Sequence, residues 1–374
     1  MRNPFTPTFG VTPPLLVGRD GEIEAFRRAL RNGPGDPARA MLLTGARGTG
    51  KTVLLNALED VATRAGWAVV SVTARQGLVD QLTDTLLPQL LNRHDRKAKT
   101  SRITAGSVSV LGVGGGFTRQ VEGAHQVRPD FRGELEELAA LMADQGGGVF
   151  LSVDEVQRGA AGELREVFQA VQHCFRQGLE VACVAAGLPS GVSDLLNDEV
   201  LTFLRRAERH ALGGLADAAV RSALRQPVVE GGREISPVAL DQSVAAVDGY
   251  PFLVQVVGFH LWEDSPTQPQ IDTAQASRAI DRAWADARRL VYEPMLADLS
   301  ARDLDFLKAM ARSQRDPVPM AEIEAAFAGS NASQYRRRLI AAEAVEPAGR
   351  GQIRFAVPGL GRYLRSLAAG AEPP

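Results

Sequence analysis

Eight consecutive residues, Gly45-Ala46-Arg47-Gly48-Thr49-Gly50-Lys51-Thr52, follow the spacing GxxxxGK[ST]. Glycines leave backbone N–H groups uncovered, so such a turn can wrap the oxygens of a phosphate chain. A helix starting at its end adds positive potential. Lys51 would then reach the β- and γ-phosphates, and the Thr52 hydroxyl would coordinate Mg²⁺. Further along, the apolar run Val149-Phe150-Leu151-Ser152-Val153 ends in Asp154-Glu155. A buried strand ending in two carboxylates lies where a parallel sheet opens its ligand crevice. Asp154 would hold Mg²⁺ through water, and Glu155 would polarise a water attacking the γ-phosphate. Alone, either run has a plainer reading, a glycine-rich turn or an acidic helix N-cap. Together they point to ATP or ADP with Mg²⁺.

These residues need elements to place them. Ala40–Thr44 reads as a short apolar strand before the phosphate loop, and Lys51–Ala65 has helical spacing after it. The alternation continues with strands at 67–73, 149–153, 181–186 and 209–212, and helices at 22–30, 78–91, 131–143 and 163–176, with Asp20 as the N-cap of the helix at 22–30. Fold class is therefore α/β with a parallel sheet. From Ala216 the strands disappear and helical segments follow, interrupted at Pro227, Gly249 and Pro266. After Leu299 come three short helical patterns at 301–313, 319–328 and 332–343, a turn at Gly349-Arg350-Gly351, and a strand-like run at 352–357. The β-branched stretch 101–121 reads as a hairpin inserted in the α/β part. The division expected is an extended arm 1–16, an α/β core 17–212 that carries both motifs, a helical part 213–298 and a C-terminal unit 299–374.

With 374 residues, 45% hydrophobic and 23% charged, the chain is an ordinary globular protein. The 42 Lys+Arg nearly cancel the 44 Asp+Glu, for a net charge of −2, which excludes a wholly basic nucleic-acid coat. Cys174 and Cys183 have no metal spacing, and the five histidines are scattered, so neither a zinc site nor a Ser-His-Asp arrangement is expected. No apolar run approaches a membrane span, the N-terminus does not read as a signal peptide, and a cytoplasmic protein without membrane partners is expected.

The two phosphate motifs resemble those of the AAA+ ATPases, in the branch that holds origin-recognition replication initiators and signalling-type NTPases. Leu16-Val17-Gly18-Arg19-Asp20-Gly21-Glu22 is similar to that branch's opening segment, which implies that Val17, Gly18 and Arg19 lie over the adenine. Asp248-Gly249-Tyr250-Pro251-Phe252 is similar to the start of a lid helix, placing Tyr250 and Pro251 against the nucleotide. The tail after Leu299 resembles a winged helix-turn-helix. The resemblance implies an ATPase, with self-assembly through its cores, and an arginine finger at Arg205 or Arg206 serving a neighbouring subunit. The plainer reading of those arginines is a solvated basic helix end. Two family features are missing. The strand after Asp154-Glu155 ends Ala185-Ala186-Gly187-Leu188-Pro189-Ser190 where a polar sensor is usual, and Phe252 stands where a lid arginine is often found. Slow turnover, or a different γ-phosphate sensor, is implied.

Residues 331–366 hold seven arginines against two glutamates, a local balance of +5 in a nearly neutral chain. On a helix at 332–343, Tyr335, Arg336 and Arg337 would face a duplex DNA groove, while Arg338 would reach a phosphate or an internal carboxylate. Arg350 at the wing tip suits a phosphate or the minor groove. The alternative is a protein partner docked on this unit, with the chain a signalling-type switch of little or no turnover. The hairpin at 101–121 would touch DNA or a neighbour, or be a plain surface feature.

Overall fold

The computed structural model describes residues 2–8, 15–95, 130–264, 269–327 and 331–369. The hairpin expected at 101–121 lies outside the described residues. The first half contains α1 (Asp20–Asn32), β1 (Ala40–Thr44), α2 (Lys51–Arg64), β2 (Ala68–Thr73), α3 (Leu78–Gln81), a π turn Leu82–Leu86, α4 (Leu87–His94), α5 (Phe131–Ala143), β3 (Val149–Asp154), α6 (Ala161–Arg176), β4 (Val181–Gly187), α7 (Pro189–Asn197) and β5 (Glu208–Ala211). The five strands form one parallel sheet in the order β2-β3-β4-β1-β5.

The central strands are apolar on both faces because helices cover both. Met41, Leu43, Phe150 and Val184 point to the side of α1 and α2, against Phe26, Leu54 and Leu58. Leu42, Leu151, Val153 and Cys183 point to the other side, against Leu138 and Phe168. Such continuous burial is what makes these runs read as unbroken hydrophobic strands. The register pairs Thr44 with Gly187, and Val153 with Ala185, so the ends of β1, β4 and β3 come out at one edge.

The second half contains α8 (Asp217–Glu230), β6 (Glu234–Ile235), α9 (Pro237–Val247), α10 (Pro251–Glu263), β7 (Gln270–Ile271), α11 (Thr273–Ala287), a π turn Arg288–Tyr292, α12 (Glu293–Ala297), α13 (Ala301–Ala311), β8 (Val318–Pro319), α14 (Met320–Ala326), α15 (Ala332–Ala341), β9 (Val345–Pro347), β10 (Gln352–Phe355) and α16 (Leu360–Ala369). Strands β8, β10 and β9 form a small antiparallel sheet beside α13 to α15. One hydrophobic core runs without a break from α8 through α11 into α13 and α16, and it also takes in Phe5.

Three sequence expectations are corrected here. Strands do not vanish after Ala216, since β6 pairs with β7 in parallel. Pro227 does not interrupt its segment but lies inside α8. It sits near the helix end, where a single missing backbone bond is offset by the burial of Val220, Leu224 and Val228. Asp20 is the first residue of α1 rather than its cap, and it still favours the positive helix end.

Candidate nucleotide site

Between β1 and α2 the chain turns through Gly48 (φ +75°) and Gly50 (φ +91°). Gly48 is required twice over. Its backbone is left-handed, and a Cβ there would sit 2.4 Å from the Tyr250 hydroxyl oxygen. Tyr250 is buried, and its hydroxyl donates to the Arg47 carbonyl at 3.0 Å, so the residue that precedes α10 is seated on the loop. Lys51 opens α2 and is 7% exposed; its Nζ donates to the carbonyls of Gly45 (2.8 Å) and Ala46 (2.9 Å). Burial lowers the Lys51 pKa, while the nearby carboxylates of Glu155, Asp154 and Glu343 oppose that shift.

The register of β1, β4 and β3 carries the acidic strand end to this loop. The Thr52 hydroxyl donates to Asp154 Oδ2 at 2.6 Å, and the Glu155 N–H donates to Asp154 Oδ1 at 2.8 Å. Glu155 itself is left-handed (φ +56°), and its carboxylate meets the turn that follows. Its Oε2 accepts from Gln157 Nε2 at 2.9 Å and pairs with Arg158 Nε at 3.0 Å. The sequence reading passed over Gln157 and Arg158, although two long polar residues directly after an Asp-Glu pair were a signal available to it.

A cavity of about 370 Å³ opens above the loop. Its polar wall holds Arg47, Gly48, Lys51, Thr52, Glu155 and Arg158. Its apolar wall holds Leu16, Val17, Leu215, Phe252 and Val254. Arg19 and Pro251 also line it, along with Thr49, Gly50 and Val53. The Arg19 guanidinium is buried and donates to the Gly213 carbonyl at 2.8 Å; burial lowers its pKa, opposed by Glu22. Gly18 turns the chain behind Val17, and Gly45 and Ala46 supply the carbonyls that hold Lys51. Thr6, Pro7 and Thr8 of the N-terminal arm form part of the wall, which the sequence did not disclose. The arm is fixed by Phe5, 2% exposed, by Asn3 Nδ2 donating to the Phe259 carbonyl (3.2 Å), and by the Thr6 N–H donating to Gln255 Oε1 (3.1 Å).

The remaining sequence candidates lie elsewhere. Arg205 and Arg206 are exposed in the turn before β5, Arg205 Nε donates to the Leu196 carbonyl at 3.0 Å, and neither lines the cavity. On α15, the Tyr335 ring is half-buried against Phe327 at 5.3 Å, Arg336 is half-buried and Arg337 is exposed. Arg350 is exposed at the tip between β9 and β10. Arg338 reaches an internal carboxylate, Asp303, at 2.7 Å. Among the described residues, Arg47 Nε pairs with Glu343 Oε2 at 3.1 Å and so links this region to the cavity.

Among the described residues no cluster of three His, Cys, Asp or Glu could hold a metal alone. The touching hydroxyl and carboxylate of Thr52 and Asp154 are hard oxygen donors beside the cavity. That incomplete set suits Mg²⁺, which keeps several waters and takes phosphate oxygens for the rest of its sphere. No helix among the described residues is long and apolar enough to cross a membrane.

Residues 15–184 match the family described as the AAA ATPase domain. Residues 289–364 match a domain of unknown function (DUF8462). No functionally curated protein matches the sequence. Among solved structures the chain is similar to the Walker-type ATPase of Pyrococcus abyssi, with a TM-score of 0.63, 17% identity, and coverage of 94% of this chain and 96% of that one. It is also similar to the ORC2 protein of Aeropyrum pernix, solved as ADPNP-ADP complexes, with a TM-score of 0.59, 16% identity and 98% of both chains covered. The ADP form of that protein gives a TM-score of 0.54 at 16% identity, over 97% of this chain and 96% of that one. At these identities the likeness speaks for the fold. With the five-stranded parallel sheet, the phosphate loop and the domain match in agreement, residues 15–184 form an AAA ATPase domain, and the chain has the P-loop AAA+ fold.

Proposed function

We propose that the chain is an ATP-binding and ATP-hydrolysing switch that binds duplex DNA through its C-terminal unit. One observation carries the nucleotide half: one cavity has the phosphate loop, Glu155 and an apolar wall that includes Val17, Leu215 and Phe252 around it. The units we infer are an arm 1–16, an AAA+ core 17–212, a lid 213–298 and a winged helix 299–374. ATP would lie with its base between Val17, Leu215 and Phe252 and its phosphates on the N–H groups of Gly48 to Thr52. Lys51 would turn from its own loop carbonyls to the β- and γ-phosphates. Mg²⁺, held by Thr52 and Asp154, would neutralise charge on the phosphates. Glu155 would orient the attacking water and accept its proton. ADP and phosphate would be the products.

The DNA half is supported by the local charge of +5 in residues 331–366 and by the exposure of Arg337 and Arg350. Self-assembly through the AAA+ cores would bring Arg205 or Arg206 to a neighbour's cavity. A second reading is favoured by a specific observation: Tyr335 spends its ring on Phe327, and Tyr292 on the lid side stacks on Tyr363 of α16 at 5.3 Å. In that reading the C-terminal unit is a protein-docking module of a signalling-type NTPase.

The test has two arms. Lys51→Ala should weaken ATP binding by about 10- to 100-fold, since a charge-assisted bond contributes about 1.5–3 kcal/mol. Unchanged affinity would remove the site assignment. Duplex binding should fall steeply with salt, and Arg336→Ala and Arg337→Ala should each reduce the slope by about one. No duplex binding at low salt, with or without ATP, would favour the protein-docking reading.

A further inference from the structure

We propose that Gln157 is the residue that positions Glu155 for water activation. The inference rests on the ATPase reading and deepens it. Gln157 lies in the 3₁₀ turn Val156–Arg158 that follows Glu155. Its side-chain amide bridges two elements. Nε2 donates to Glu155 Oε2 at 2.9 Å, while Oε1 accepts the Leu188 N–H, just past the end of β4, at 3.1 Å. The neighbourhood is built to admit this side chain: a Cβ on Gly191 would sit 2.5 Å from Gln157 Cβ, and one on Gly187 would sit 2.9 Å from Gln157 Oε1. The end of β4 brings only Ala185, Ala186 and Gly187, so the polar contact there comes from Gln157 reaching across.

The chemistry follows from which oxygen is taken. Gln157 and Arg158 both donate to Oε2, so Oε1 is the oxygen left for a water in the cavity that Glu155 lines. In hydrolysis the water oxygen bonds to the γ-phosphorus as the bond from that phosphorus to the β,γ-bridging oxygen breaks. ADP leaves with the electron pair, and the water proton passes to Oε1 and on to solvent. A glutamate has three side-chain rotations, and misplacement by about 1 Å can cost about 100-fold in rate. Arg158 is a weaker anchor because it is exposed, and its pair with Glu155 is screened. Gln157, tied at both ends of its amide, fixes the carboxylate.

Three variants of the full chain decide this, read as phosphate release, KM for ATP and ATP affinity. Gln157→Glu keeps the volume and the acceptor for the Leu188 N–H but removes the donor to Glu155. Gln157→Met removes both polar contacts at similar volume and serves if the added charge impairs folding. Lys51→Ala sets the background. Both Gln157 variants are expected to lose about 10- to 100-fold in kcat with KM and ATP affinity within about twofold of wild type. Wild-type kcat in either folded variant overturns the assignment, and so does a KM that rises as kcat falls. Wild-type phosphate release no higher than that of Lys51→Ala overturns the ATPase reading and this inference with it, whereas an active wild type indifferent to Gln157 overturns this inference alone.

Discussion

The ammonium of Lys51 already gives two of its three N–H donors to its own loop, at Gly45 and Ala46, so a phosphate chain would have to compete with two carbonyls for that charge. Tyr250 packs on that loop at Gly48 and donates to the Arg47 carbonyl. Tyr250→Phe removes the bond to the Arg47 carbonyl while keeping the ring against Gly48. We expect a loss of about 1 kcal/mol in stability by chemical denaturation, with a small drop in ATP affinity. Equal unfolding midpoints would show that the ring alone supports the loop. The two cysteines make the opposite case of a group with no chemistry. Burial disfavours the thiolate and pushes both Cys174 and Cys183 up to about 12, so at pH 8 each is neutral as well as covered. Iodoacetamide should label neither in the native protein and both after unfolding; native labelling would mean that the core opens. At this scale the glycine turn between β1 and α2 was legible because its geometry is local, set by spacing within eight residues. Gln157 stood out only as a polar residue close after Asp154-Glu155; what it and Thr6 do depends on Leu188 and Gln255, which folding alone brings to them.

Elements follow the same division. β1, β3 and β4 are buried on both faces and announce themselves as apolar runs. β6 and β7 are two residues each, too short for any periodicity, and they exist only because Glu234 and Ile235 meet Gln270 and Ile271. The break expected at Pro227 failed because core packing outweighed a local preference. The arm is the clearest case of tertiary rescue: an extended, proline-bearing segment without a hydrophobic pattern becomes a wall of the cavity because Phe5 enters the core of the helical half. Phe5→Ala should therefore release it. Truncating a buried phenylalanine costs about 3–5 kcal/mol in a closed core, and an arm that detaches instead of leaving a void should show the lower end or less. Limited proteolysis checks this: the variant should be clipped within its first residues under conditions that leave wild type intact. Its ATP affinity should also fall, since Thr6, Pro7 and Thr8 leave the cavity wall.

For the whole molecule the question is how an event in the cavity reaches the cationic surface. The helices α8 to α12 and the C-terminal unit share one core, and aromatic packing ties them: Tyr292 stacks on Tyr363, donates its hydroxyl to the Pro358 carbonyl at 3.0 Å, and lies beside Trp284, over which Arg362 sits. Movement of α8 to α12 should therefore carry the C-terminal unit with it. This combined body is bonded to the phosphate loop at Arg47. Tyr250 binds the Arg47 carbonyl, and Glu343 binds the Arg47 guanidinium. Arg47 lines the cavity, so in the proposed nucleotide complex an anionic phosphate would compete with Glu343 for it. The pair is partly exposed and contributes about 0–1 kcal/mol, enough to shift a two-state equilibrium up to about fivefold. Glu343→Gln removes the competing charge with little change in shape. If this pair transmits the nucleotide state, small-angle scattering of wild type should differ between ATP-bound and free protein. The free Glu343→Gln protein should already resemble the ATP-bound form, and its duplex affinity should depend less on ATP. A Glu343→Gln protein that keeps the full wild-type difference in both measurements would leave Tyr250 and the shared core as the route, with Arg47 serving the phosphates alone.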